Sequence, residues 1–266
     1  MIDPFSRILL VDDKGLRSFA SAQETIERDK KEEKILFNED GPDDPRYRPL
    51  LHELAEAYQT AGDHSMAAET ALVYERMSTH RTEESRIENF HLLGESLIAM
   101  RKVIEAQDLL TPLYQSTMIP IIGWWTRYWN LHFLSLLADV ALLKGELLEE
   151  EAIRYRCADG FAKEFGMDLT VTMTARMKLG ECQQRKGDFT RALLHYQAAY
   201  AHFHGRKLFS TDEESISLLA RIYACEKHLN EKERMEETRA WLMAQVHRSS
   251  LPSGASRRII DYLSEC

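Results

Sequence analysis

Arg176–Phe203 reads RMKLGECQQRKGDFTRALLHYQAAYAHF. Lys186-Gly187-Asp188 ends one helix and begins another, because glycine supplies the helix stop and aspartate the next start. Ala192, Tyr196 and Ala199 then recur at helical spacing. Gly180 stands where the first helix must cross the second closely. The stretch is a helical hairpin whose inner face alternates small and large residues.

The pattern recurs along the chain. Leu54-Ala55, Tyr58, Gly62-Asp63 and Ala67 stand where Leu179-Gly180, Gln183, Gly187-Asp188 and Ala192 stand later. The same places hold Leu93-Gly94, Leu97, Arg101-Lys102 and Ala106, then Leu137-Ala138, Ala141, Gly145-Glu146 and, out of pattern, Glu150. The last copy has Leu219-Ala220, Tyr223, Lys227-His228 and Lys232. The anchors Ala55, Gly94, Ala138, Gly180 and Ala220 are spaced by about 39 to 44 residues, a period that means stacked helical hairpins. Helix stops are predicted near Ala61–Asp63, Arg101–Lys102, Lys144–Glu146, Lys186–Asp188 and Lys227–Asn230. Small residues at the anchor and at the later alanine would bring the axes near the lower end of the usual 8–10 Å separation.

These residues resemble the tetratricopeptide repeat, in its long-repeat branch of kinesin light chains and bacterial peptide-sensing regulators. The resemblance implies an all-α fold, a right-handed superhelical solenoid of about five TPR-like hairpins. It places an N-terminal arm and helix at 1–45, the array at 46–248, and a linker with a C-terminal capping helix at 249–266.

Outside the array, Leu16 to Phe37 has helical spacing, and Asp29 to Lys34 reads as its solvated face. The apolar run Ile8–Val11 before Asp12-Asp13 resembles the first strand of a receiver domain, but no alternating strand–helix pattern follows it. It is expected to be an arm or short helix. Asn38 to Pro49, with Gly41, Pro42 and Pro45, reads as a loop. Pro112 is expected to kink or end its helix. Trp124, Trp125 and Trp129, following Pro120 and Gly123, would seal a seam between hairpins or form a ligand box.

Composition narrows the function. Lys+Arg number 34 against 43 Asp+Glu, a net charge of -9. Such a chain lacks the clustered cations that nucleic-acid binding needs. No apolar run reaches the ~18 residues of a membrane span, so membrane insertion is not expected. The first residues carry no signal-peptide pattern. Cys157, Cys182, Cys225 and Cys266 form no CxxC pair, which fits reduced thiols and a cytoplasmic location. No nucleophile elbow, phosphate loop, dinucleotide glycine set or zinc motif is present. Gly94-Glu95-Ser96-Leu97-Ile98 starts like an elbow but lies within a helix. No enzyme, cofactor or metal is expected.

What remains is binding. The resemblance implies that one face of each first helix lines a concave groove. Carried over residue by residue, that face holds His52, Glu56 and Gln59, then His91 and Glu95, then Ser135 and Asp139, then Met177, Glu181, Gln184 and Arg185, and finally Ser217 and Arg221. Two His–Glu pairs could in principle meet a divalent ion, but neighbouring helices would hold them too far apart. Either the face is an ordinary polar surface, or it is an acidic groove for a protein or peptide with a basic segment. In the second case, protonation of His52 and His91 below neutral pH would weaken it. The Lys and Asn used by chaperone-tail binders are absent here. The expected function is a non-catalytic scaffold or adaptor. The alternative is a peptide-responsive regulator or secretion-type chaperone acting through protein contacts.

Overall fold

The computed structural model describes residues 13–39, 46–76, 83–117, 124–167, 169–205 and 212–248. Among them are eleven α-helices: α1 Asp13–Glu39, α2 Tyr47–Thr60, α3 His64–Arg76, α4 Glu83–Ala99, α5 Val103–Thr117, α6 Trp124–Lys144, α7 Leu147–Phe165, α8 Thr170–Arg185, α9 Phe189–Gly205, α10 Asp212–His228 and α11 Lys232–Arg248. The run Ile8–Val11, the Gly41–Pro45 loop, Pro120 and Gly123, and the segment 249–266 lie outside the described residues. So do the side chains of Trp124 and Trp125.

Five of the connections use one device. Gly62, Arg101, Gly145, Gly187 and Asn230 each sit at positive φ. The next amide reaches back five residues: Asp63 N to Tyr58 O, Lys102 N to Leu97 O, Glu146 N to Ala141 O and Asp188 N to Gln183 O are each 2.9 Å, and Glu231 N to Glu226 O is 3.0 Å. This left-handed cap satisfies carbonyls that the ending helix leaves open. It also starts the next helix at once, so each pair is joined by two or three residues. The turns fall where the sequence places them.

The fifth turn comes three residues later in its copy than the other four. Its start bond, Met235 N to Glu231 O, corresponds to Ala67 N to Asp63 O, Ala106 N to Lys102 O and Ala192 N to Asp188 O. The residue equivalent to the second-helix alanine is therefore Met235, not Lys232. Met235 packs against the last core cluster, while Lys232 is exposed.

The described residues form two units, α1–α6 within Lys14–Glu146 and α7–α11 from Leu147 on. In the first, α2, α3, α4, α5 and α6 pack in order, and α2 also meets α4 and α4 meets α6. Leu54, Ala55, Tyr58, Leu93, Leu97, Leu110, Phe133 and Leu136 form its main core, which Ile26 of α1 joins. Leu36 of α1 packs with Tyr47, Leu51 and Tyr74. The α1 charge run is mostly solvated, as read, except for Asp29, which is fully buried and paired with Arg28 at 2.8 Å. In the second unit α7 to α11 pack in order, with Leu193, Tyr196, Leu218 and Ile222 in one cluster and Ile216, Leu219, Tyr223 and Leu242 in another.

The crossing contact differs in detail from the expected one. A Cβ added to Gly94 would lie 2.8 Å from Leu110 Cδ2 and 3.2 Å from Leu136 Cδ1. One added to Gly180 would lie 3.0 Å from Tyr196 Cε1 and 3.2 Å from His195 Cβ. Each anchor glycine thus faces the bulky residue sixteen positions on. The expected partner of Gly180, Ala192, is buried one turn earlier on α9. Where the anchor is Ala55, the residue sixteen on is Ala71, and both are fully buried in one cluster. Volume is exchanged across these crossings: glycine meets Leu or Tyr, and Ala55 is matched with Ala71.

Pro49 departs from its expected place in a loop, and Pro112 does not end its helix. Pro49 lies in the first turn of α2, where an amide has no intrahelical acceptor to lose. Pro112 lies inside α5, which continues to Thr117. Pro112 and Asp108, whose carbonyl loses its donor, are both exposed, so water can serve that carbonyl and the helix need not end.

The turn and the crossing each give an expected outcome. Arg101 is held in a conformation that costs a side-chain-bearing residue roughly 1–2 kcal/mol. Arg101→Gly should therefore raise the midpoint of urea unfolding, where the same change in mid-helix would lower it. Gly180→Leu should lose about 1–3 kcal/mol by overpacking the Tyr196 ring. Thermal melting that shows no loss would mean the crossing is not tight.

Candidate functional site

Because α2, α4 and α6 touch one another, their outward residues share a surface. Gln59 Nε2 donates to Glu95 Oε2 at 2.7 Å, tying α2 to α4. His91 Nδ1 lies 3.7 Å from Glu95, and its ring meets Trp129 edge-on at 5.1 Å and His132 at 5.5 Å. Tyr128 closes on His132 at 4.3 Å between ring centroids. At the other end His52 Nε2 lies 3.5 Å from Glu56, and its ring is 6.2 Å from Tyr74. The result is a strip across three helices, acidic at Glu56 and Glu95 and aromatic at Tyr128 and Trp129. Trp129 is half-buried, one side against the core cluster and the other against His91. Seam and surface are thus combined in one residue.

The predicted groove residues of α8 and α10 have a different fate. Glu181 is paired with Arg221 at 3.0 Å, across the two helices. Gln184 accepts a hydrogen bond from the Tyr196 hydroxyl at 2.8 Å. Met177 packs against the α9–α10 core cluster. Arg185 bonds to Glu150 of α7. Glu181, Gln184 and Arg185 thus each bond to a side chain of a neighbouring helix.

Glu150 explains its own departure from the repeat. It stands at the second-helix alanine position and is fully buried, with Arg154 Nε at 3.6 Å and Arg185 also bonded. Cys182 lies beside it, and burial with the Glu150 charge pushes that thiol up to about 11. Cys157 and Cys225 are also buried and stand outside any disulfide. Such thiols are poor nucleophiles, since the thiolate is the reactive form. His195, beside the Gly180 crossing, is held below its ordinary value by burial and then by the Arg176 charge. Arg176 Nε donates to its Nδ1 at 3.4 Å, which requires the neutral ring. Among the described residues no group of three or more His, Cys, Asp or Glu side chains is placed to hold a metal ion.

Comparison with known proteins agrees with this geometry. No protein-family model matches the sequence, and no curated protein does. Solved structures do match. BtubC (BKLC) from P. vanneervenii aligns with a TM-score of 0.64 at 13% identity, over 87% of this chain and 90% of that one. A kinesin light chain of Podosopora anserina with nearly identical TPR-like repeats aligns at 0.58 and 18%, over 76% and 96%. RapI in its apo form aligns at 0.61 and 13%, over 93% and 78%. The chain has the TPR-like fold. At these identities the likeness speaks for the fold, and no functional residue is transferred by it.

Sequence reasoning missed His132 and the inward role of Arg185. His132 has a legible signal: within α6 it holds the face position that Glu88 occupies on α4, six residues before the anchor. The Arg185–Glu150 pair had only a weak one, an acid where the repeat wants alanine.

Truncating that acid tests the pairing. Glu150→Ala would restore the repeat's small residue yet leave buried Arg154 without its carboxylate. Breaking one partner of a buried pair costs about 3–5 kcal/mol, whereas replacing both is often near neutral. Urea unfolding should show a large loss for Glu150→Ala and recovery of most of it in Glu150→Ala/Arg154→Leu.

Proposed function

We propose that the protein is a non-catalytic scaffold that holds a protein or peptide partner on the strip formed by α2, α4 and α6. The observation that carries this is the Gln59–Glu95 bond together with the packing of His91 on Trp129 and His132. These contacts make three separate helix faces one continuous, preorganised surface. Preorganised side chains lose less freedom on binding, which favours affinity. The strip combines partly exposed carboxylates with aromatic side chains, and its complement is an extended or helical segment bearing Lys or Arg beside an apolar residue.

Support for a binding role also comes from the TPR-like fold. Among the described residues no helix is long and apolar enough to cross a membrane. The three buried thiols, none in a disulfide, accord with a reducing, cytoplasmic setting. We infer binding through unit α1–α6 rather than through α8 and α10, whose equivalent groups are internally paired.

Affinity capture with the full chain and with Glu56→Gln/Glu95→Gln/Asp139→Asn, followed by titration of the proteins that only wild type retains, checks the reading. At low salt the triple variant should bind roughly tenfold or more weakly. The gap should close as salt rises from about 0.05 M to 0.5 M and screens exposed charge. Equal affinity for both chains, flat with salt, would place the partner elsewhere.

A further inference from the structure

A cavity of about 300 Å³ opens among α9, α10 and α11, with Tyr200, Ile222, Glu226, Arg234, Glu237 and Trp241 in its lining. It is not part of the face that carries Arg221. Glu226 lies five residues further along α10, about 140° around the helix.

Glu226, like Glu150, is a buried acid of this unit. It is only 2% exposed, and its Oε2 is buried without a hydrogen-bond partner. Its carboxyl is raised above the usual range by burial, with a bond from Thr238 opposing, Glu231 and Glu237 adding to the rise and Arg234 opposing it. Leaving a buried carboxylate oxygen unpaired is unfavourable, so Glu226, in the cavity's lining, keeps an unused acceptor that bulk water does not reach. Arg234 does not fill that role, because it is paired with Glu231 at 3.0 Å. The space around the acceptor therefore carries an excess of negative charge.

The walls narrow the ligand further. Trp241 is 58% exposed, large for an apolar side chain standing beside a cavity. Tyr200 forms another wall, its ring stacked on His204 at 5.3 Å. Aromatic faces next to carboxylates hold organic cations through the ring quadrupole as well as through charge. The volume sits at the small end of the roughly 300–1,000 Å³ of ligand pockets. It suits one side chain or a small amine, and is too small for a folded segment or a nucleotide.

We propose that this cavity binds an alkylammonium group, its charge on Glu226 and Glu237 and its methylene chain against Trp241 and Tyr200. Both a free aliphatic amine and a lysine side chain of a partner protein present that chemistry. The site is independent of the α2–α4–α6 strip and stands or falls apart from it.

The test follows the indole N–H signals of the four tryptophans by NMR on the full chain, assigned with single Trp→Phe variants. The probes are 1,5-diaminopentane and acetyl-Gly-Lys-Gly-amide. Their neutral counterparts are 1,5-pentanediol and acetyl-Gly-norleucyl-Gly-amide. The Trp241 signal should shift saturably with an amine probe by about 10 mM, and not with the neutral compounds. Binding should weaken at least tenfold in Glu226→Gln. Tighter diamine binding marks a free-amine site, and tighter peptide binding marks a lysine-docking site. If Glu226→Gln does not give a folded spectrum, the exposed Glu237→Gln carries the same comparison. No saturation with either amine, an equal response to the neutral compounds, or unchanged binding in the variant would overturn the proposal.

Discussion

Two α-helices can cross closely only if something at the crossing is small, and the array depends on where that smallness is placed. Ala55, Gly94, Ala138, Gly180 and Ala220 are all buried. At Gly94 and Gly180 even a methyl group would strike the facing residue. The bulk removed from the first helix is returned by Leu110 and Tyr196 on the second. Tyr196 is fully buried, and its hydroxyl remains satisfied by Gln184. A cluster packed to crystal-like density leaves no slack for a second large residue. The glycine and the bulky residue are therefore one structural unit split between two helices.

The turns impose the second constraint, and together the two fix the register of each pair. A left-handed residue followed by a bond reaching back five positions sets where the next helix starts. The residue four positions beyond that start then becomes the seam. Ala67, Ala106 and Ala192 occupy it in three pairs. In the fifth pair the turn is delayed by three residues and Met235 takes the place. At Glu150 a charge occupies the position, and Arg154 and Arg185 neutralise it from α7 and α8. The repeat tolerates a buried ion pair at this point because the carboxylate has two cationic partners; with one partner removed, the same burial becomes a large penalty.

These relations explain what could be read from the sequence. The hairpins were legible because glycine spacing, helix stops and small anchors are local signals, each determined within one turn of the chain. Lys232 was misplaced because an offset carried from one copy to another ignores a longer first helix. Pro112 does not end its helix, because the cost of a missing amide depends on whether the orphaned carbonyl meets water. The groove was the least legible part. Whether Glu181 is a free charge depends on Arg221, forty residues away in sequence and one helix away in space. Asp29, in a run that reads as solvated, is buried by the same kind of non-local packing.

The same sequence logic therefore produced two different surfaces. On α2, α4 and α6 the outward polar residues link neighbouring helices and still leave Glu56 and Glu95 facing solvent. On α8 and α10 they cancel, through Glu181 with Arg221 and Gln184 with Tyr196, and the uncompensated charge lies on another face of α10, at Glu226. A field that could act on a partner comes only from charge that the fold has not already paired. On that argument, the proposed cation site of the α7–α11 unit lies beside Trp241, while Glu181, Gln184 and Arg221 serve contacts between helices.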